Sequence, residues 1–132
     1  MANQEQITLL EQGNRIWRKW RKNHPDVTPD LRGAELEKID LDGMDLHDAD
    51  LREANLRFAR LRGANLRNAN LAGADMREAD VRYADLTDAV LPKADLRSTD
   101  FRKSVLETVD LSGANLDGAY LCDTDLTDSD LS

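Results

Sequence analysis

From Leu31 to Leu131 every fifth residue is apolar, without a break. Of these 21 positions 18 are Leu, and the others are Met76, Val81 and Phe101. With the central apolar residue written i, position i−2 is Ala in 13 of the 21, and i−1 is Asp, Glu or Asn in 17. An α-helix turns about 100° per residue, so leucines five apart would land about 140° from one another and circle the helix. A flat strand has a side-chain period of two, so a five-residue step would flip each successive Leu to the opposite face. A chain that bends once per unit satisfies the pattern. Positions i−2 and i then point inward, and i−1, i+1 and i+2 point outward. Bends of about 90° close the path after four units, or about 20 residues, and coils stacked at the β spacing of about 4.8 Å pile Leu on Leu. The pattern predicts an all-β solenoid of about five coils over residues 29–132, with residues 1–28 as a separate lead-in.

Residues 3–23 read as one amphipathic helix. Asn3 caps it, with Gln6 three residues on, and Pro25 and Pro29 stop it. Ile7, Leu9, Leu10, Ile16, Trp17 and Trp20 cover roughly half the helical wheel. A solenoid needs its open end covered, so Ile7, Leu10, Ile16, Trp17 and Trp20 are expected to lie across the first coil as a capping helix. A basic stripe of Arg15, Arg18, Lys19, Arg21 and Lys22 offers a competing role toward a membrane surface, nucleic acid or an acidic protein. The two tryptophans favour the cap. At the other end "TDLTDSDLS" stays in register, leaving Leu116, Leu121, Leu126 and Leu131 in a coil with an open β edge. Such an edge invites a tail-to-tail homodimer, the alternative being a monomer with a frayed or side-chain-blocked end.

The units "ANLRN", "ADLTD" and "ANLDG" resemble the A(D/N)LXX motif of the pentapeptide repeat family, over residues 29–132 and more than twenty units. The opening "WRKW…HPDVTPDLRGAEL" is similar to a lead-in of bacterial, especially cyanobacterial, members. The resemblance implies a right-handed quadrilateral β-helix and, for most members, no enzymatic activity. Some members resemble duplex DNA in shape and charge and bind DNA gyrase, protecting it from quinolones.

The repeat explains the composition. Ala at i−2 suits a tight interior beside the bend, and Leu fills the middle of each side. At about 1.5–3 kcal/mol per fully buried Leu, the ladder is the main stabilising term. The larger Ile39 and Met44 occupy i−2 in the first coil. Thr99, Ser104, Thr124 and Ser129 occupy it later, and their hydroxyls need backbone partners if buried. Asp or Asn at i−1 suits a bend, because its side chain bonds nearby backbone.

The net charge of −8 argues against general nucleic-acid affinity. It is unevenly spread: residues 51–103 carry 11 basic and 8 acidic side chains, and residues 104–132 carry 7 acidic and no basic ones. One cysteine, Cys122, excludes an intrachain disulfide and a Cys-rich zinc site. His24 and His47 are the only histidines, and no P-loop, GxGxxG or HExxH occurs. Asp123, Asp125, Asp128 and Asp130 fit no calcium loop. No catalytic, cofactor or metal residue is therefore assigned, and the chain is not expected to be an enzyme. No apolar run approaches membrane-spanning length, and a cytoplasmic protein binding neither membrane nor nucleic acid is expected.

The outward columns carry the remaining information. With residues 20 apart stacked, Arg57, Arg77 and Arg97 form one column, and Arg62, Arg82 and Arg102 another. Two readings compete. In one, neighbouring carboxylates such as Asp75, Asp80, Asp95 and Asp100 pair with the arginines as an internal ladder. In the other, the arginines with Arg60, Phe58, Tyr83 and Tyr120 form a surface for an acidic protein partner. The expected function is a non-catalytic scaffold for protein–protein interaction with an unidentified partner. The alternative is a DNA mimic that binds DNA gyrase.

Overall fold

The computed structural model describes residues 2–132. Seventeen parallel bridges join residues 20 apart, from Asp30–Asp50 to Asp110–Asp130. The chain thus returns over itself every four units. Side one carries the central residues Leu31, Leu51, Leu71, Leu91, Leu111 and Leu131. Side two starts at Leu36, side three at Leu41 and side four at Leu46. Among the described residues each bridge is one residue long, because the corners leave only a short extended piece between them. Within that piece three backbone bonds cross to the next coil. On side three, Leu61 N–H donates to Asp80 O (2.7 Å), Gly63 N–H to Arg82 O (2.9 Å), and Asp80 N–H to Ala59 O (3.0 Å). A further bond, Ala64 N–H to Leu61 O (3.0 Å), closes the corner.

Every turn residue at i+2 from 33 to 128 has positive φ, between 53° and 71°. This is the signature of a type II turn, which favours Gly at that position. Only six of these residues are Gly, and fourteen carry a side chain, Thr108 among them. The cost of the left-handed conformation at these fourteen is offset by the inter-coil bonds and the buried ladder.

The inward register is as the pattern predicts. All central residues from Leu31 to Leu111 are at most 2% exposed, and the i−2 alanines from Ala34 to Ala94 match them. The i−2 hydroxyls find carbonyls: Thr99 Oγ1 donates to Met76 O (2.7 Å), Thr124 Oγ1 to Phe101 O (2.7 Å), Ser104 Oγ to Phe101 O (2.5 Å), and Ser129 Oγ to Leu106 O. The i−1 carboxylates and amides accept the i+1 backbone N–H, as Asp75 Oδ1 does from Arg77 (3.2 Å).

The lead-in differs from the single helix expected. It is two helices, α1 (Gln4–Glu11) and α2 (Asn14–Asn23), broken at Gly13, whose φ of 102° no helix accommodates. The Asn3 side chain caps α1 by accepting from Gln6 N–H (3.2 Å). Leu10 and Trp17 are buried, and Ile7 and Trp20 pack half-buried on the core. Ile16 is half-buried but lies outside the core cluster.

The helices also supply hydrogen bonds that a preceding coil would make. Asn3 N–H donates to Asp30 O (2.8 Å), and Asp30 N–H donates to the Gln6 side chain (2.6 Å). Trp17 Nε1 donates to Asp45 O (2.7 Å), and Arg21 Nη2 to His47 O (3.0 Å). The edge of coil one is thereby occupied on sides one and four. The last coil differs: Leu116, Leu121 and Leu126 are half-buried, and Leu131 is 57% exposed. No described helix is long and apolar enough to cross a membrane.

Candidate functional site: the arginine walls

Most of the arginines are held within their own repeat. Where Asp stands at i−1 and Arg at i+1, the two lie on one outer face, and the guanidinium grips the carboxylate with two bonds. Arg82 Nε and Nη2 reach Asp80 at 2.8 and 2.7 Å, and Arg77 reaches Asp75 at 2.9 and 2.6 Å. Arg97 on Asp95 and Arg102 on Asp100 repeat the fork, as do Arg32 on Asp30 and Arg52 on Asp50. Forks also link coil to coil, through Arg77 to Asp95 (3.5 Å) and Arg82 to Asp100 (3.7 Å). Charge-assisted bidentate bonds of this kind favour the ionised carboxylate. The Arg forks hold Asp50, Asp75, Asp80, Asp95 and Asp100 below the ordinary carboxylate range.

Arg57, Arg62 and Arg67 lack the fork, because i−1 in their repeats is Asn55, Arg60 or Asn65. Arg57 reaches Glu37 only at 3.9 Å, and Arg67 reaches Asp85 at 3.6 Å. Arg60 turns back to Asp42 (2.6 Å) and Asp40 (3.5 Å). Of the arginines in the repeats, Arg62 alone has no carboxylate within 4 Å of its guanidinium among the described residues, although its backbone N–H donates to Asp42 Oδ1 (2.9 Å). Its guanidinium instead lies 5.2 Å from the ring centroid of Tyr83, which is half exposed, with Lys103 Nζ 5.7 Å from the same ring. Arg57 pairs similarly with exposed Phe58 (5.5 Å), and Arg102 with exposed Tyr120 (5.6 Å).

The expected ten-residue surface therefore divides. Arg77, Arg82, Arg97 and Arg102 are internally neutralised, and Arg57, Phe58, Arg62 and Tyr83 form a short cationic and aromatic strip on sides two and three. The signal separating the two groups was present in the sequence as the residue at i−1. Side four was not singled out by the sequence. It carries Asp45, Asp48, Asp85, Asp88, Glu107, Asp125 and Asp128 against one cation, Arg67, among its outward repeat positions. His47 sits at its top, bonded to Asp45 and Arg21. Burial lowers the pKa of Arg21. Cys122 is exposed.

A repeating five-residue unit, closed every four units around a Leu and Ala core, defines a pentapeptide-repeat solenoid. The Pentapeptide repeats family matches residues 30–68, 69–107 and 106–132, and this chain belongs to that family. Its members form right-handed quadrilateral β-helices and are generally non-catalytic structural repeat proteins. Among solved structures, the chain is similar to the pentapeptide repeat protein Rfr23 from the cyanobacterium Cyanothece 51142, at 27% identity and a TM-score of 0.67. That match covers 74% of this chain and 64% of Rfr23, so the chain spans under two thirds of that relative. The protein alr5209 from Nostoc is 33% identical over 77% of this chain and 72% of its own, with a TM-score of 0.34. QnrB1, a plasmid-mediated fluoroquinolone resistance protein, is 24% identical over 78% of this chain and 60% of its own, with a TM-score of 0.44. No curated protein sequence matches the chain.

Proposed function

We propose that this chain is a non-catalytic scaffold for protein–protein interaction. In this reading α1 and α2 close the N-terminal end of a right-handed prism of about five coils. The partner docks on sides two and three, around Arg62 and Tyr83. One observation carries it: the Arg62 guanidinium lies over an exposed tyrosine with no carboxylate within 4 Å, in walls where Arg77, Arg82, Arg97 and Arg102 are forked onto aspartates. Arg and Tyr beside each other on a rigid surface are the residue types that anchor interfaces. Affinity capture from the native host compares the wild type, Arg62→Ala/Tyr83→Ala, and Arg97→Ala as a forked control. Partners retained by the wild type and Arg97→Ala but lost from the double variant support the reading. Identical sets for all three contradict it.

The acidic side four favours a second reading, in which that face presents a DNA-like charge to DNA gyrase. A mimic of duplex DNA should present continuous negative charge, and pairing of most wall arginines with aspartates keeps those walls from being strongly cationic. Failure to inhibit gyrase supercoiling, or to protect it from a quinolone, sinks this reading. The half-buried leucines of the last coil further support a tail-to-tail pairing of two copies in solution.

A further inference from the structure

A groove of about 780 Å³ runs down the corner between sides one and two, roofed by α1. Its size falls within the range of ligand and peptide-anchor sites. Its apolar surface is small: Ile7 of α1, half-buried in the roof, and Ala72, half-buried on coil three, while the Ala34 methyl points into the core. Ala72 is where the side-one column changes from Arg32 and Arg52 to a methyl, which opens the lower end. From coil one to coil three the groove is about 10 Å long, enough for about three residues of extended chain.

The walls carry both signs of charge, but only one is free. Arg32 and Arg52 are already committed to Asp30 and Asp50 through two-bond forks. Glu11, Glu35 and Glu53 line the same groove and have no cation within 4 Å among the described residues, although Glu35 Oε2 accepts from Asn55 Nδ2 (2.9 Å). Glu53 is also positioned. Its carboxylate lies against the backbone of Gly73 one coil below, where an added Cβ would stand 2.8 Å from Glu53 Cδ. A side chain at residue 73 would displace that carboxylate, and glycine leaves it room to lie along the wall.

We infer that this groove docks an extended basic peptide segment of a partner protein, with Lys or Arg side chains on Glu35 and Glu53 and an apolar side chain against Ile7 or Ala72. The apolar surface selects against a fully hydrated polycation, and three unneutralised carboxylates select against an acidic or neutral peptide. The groove lies away from the strip around Arg62 and stands independently of it.

The test uses the full chain and a fluorescein-labelled, end-blocked hexapeptide, Ala-Leu-Lys-Leu-Arg-Ala, read by fluorescence anisotropy at low salt. Glu35→Gln/Glu53→Gln removes two charges and keeps the side-chain shape. Ala72→Arg fills the lower end at an outward wall position and serves as a second, independent variant. Asp88→Asn/Asp128→Asn removes two charges from side four, the competing acidic face. Circular dichroism confirms that each variant is folded. Both groove variants are expected to weaken binding by about tenfold or more, and the side-four variant by less than about twofold. Equal losses in the side-four and groove variants overturn the inference, as does no loss in the groove variants or no binding at about 1 mM peptide.

Discussion

Leu66→Ala tests the inward ladder at its centre. Leu66 is 0% exposed and stacks between Leu46 and Leu86 of the neighbouring coils, with fully or nearly fully buried Ala64 and Ala69 flanking it in sequence. Truncation removes three carbons from that stack. The transfer loss for a buried Leu and the cavity left behind together cost about 2–5 kcal/mol. Collapse is resisted here, because Leu66 N–H is tied to Asp85 O (2.8 Å) and Asn65 N–H to Met44 O (2.9 Å), fixing the coils above and below. The cost is therefore expected in the upper part of that range. The neighbouring Arg67→Ala serves as control. Arg67 is 54% exposed in its side chain and makes one 3.6 Å contact with Asp85, so its loss is expected to stay within about 0.5 kcal/mol. Urea unfolding followed by far-UV circular dichroism reads both. A Leu66→Ala cost below about 1 kcal/mol, or an Arg67→Ala cost equal to it, would refute the assignment of inward and outward positions.

Three further outcomes are expected. The forked Asp75, Asp80, Asp95 and Asp100 have depressed pKa values in the folded state. Their contribution to stability is complete above the unfolded value of about 3.9 and is lost as pH falls through the lower folded values. The urea midpoint should therefore fall below about pH 4, and Asp75→Asn/Asp95→Asn should flatten that fall; an unchanged acid profile argues against the forks. Thr108 is β-branched at a φ of 53°, so Thr108→Gly should raise stability by up to about 1 kcal/mol in thermal melts, and a loss of stability contradicts the strain argument. Light scattering over a concentration series should give a dimer that Leu121→Lys/Leu126→Lys returns to monomer; a strictly monomeric wild type at high concentration rules the dimer out.

The period of five was enough to place each residue inside or outside, because only a chain that bends every unit can bury both Leu and Ala. The four-unit closure followed from the same geometry. The break at Gly13 did not, because the apolar stripe of α1 and α2 continues across it in sequence and only a φ of 102° interrupts it. Positive φ at Thr108, Tyr83 and Lys93 runs against local preference and is imposed by the coil. The arginine walls were half readable. Column positions came from the period, whereas pairing depends on whether Asp or another residue stands two before each Arg. The groove could not be read at all. It exists because Asn3 and Gln6 tie α1 to Asp30, a contact that no periodicity encodes.

The forks between coils, the isolation of Arg62 and the groove walls all require that residues 20 apart be stacked neighbours. Disulfide trapping measures this directly, in a Cys122→Ser background. The pair Arg67→Cys/Thr87→Cys occupies one outward column of side four, at the β spacing of about 4.8 Å, within disulfide reach. The pair Ala72→Cys/Thr87→Cys is closer in sequence but sits on different sides. Mild oxidation should lock the first pair into an intrachain disulfide, seen as a mobility shift on non-reducing gels and a raised melting temperature, and leave the second reduced. Oxidation of the second pair, with the first remaining reduced, would contradict the four-unit coil.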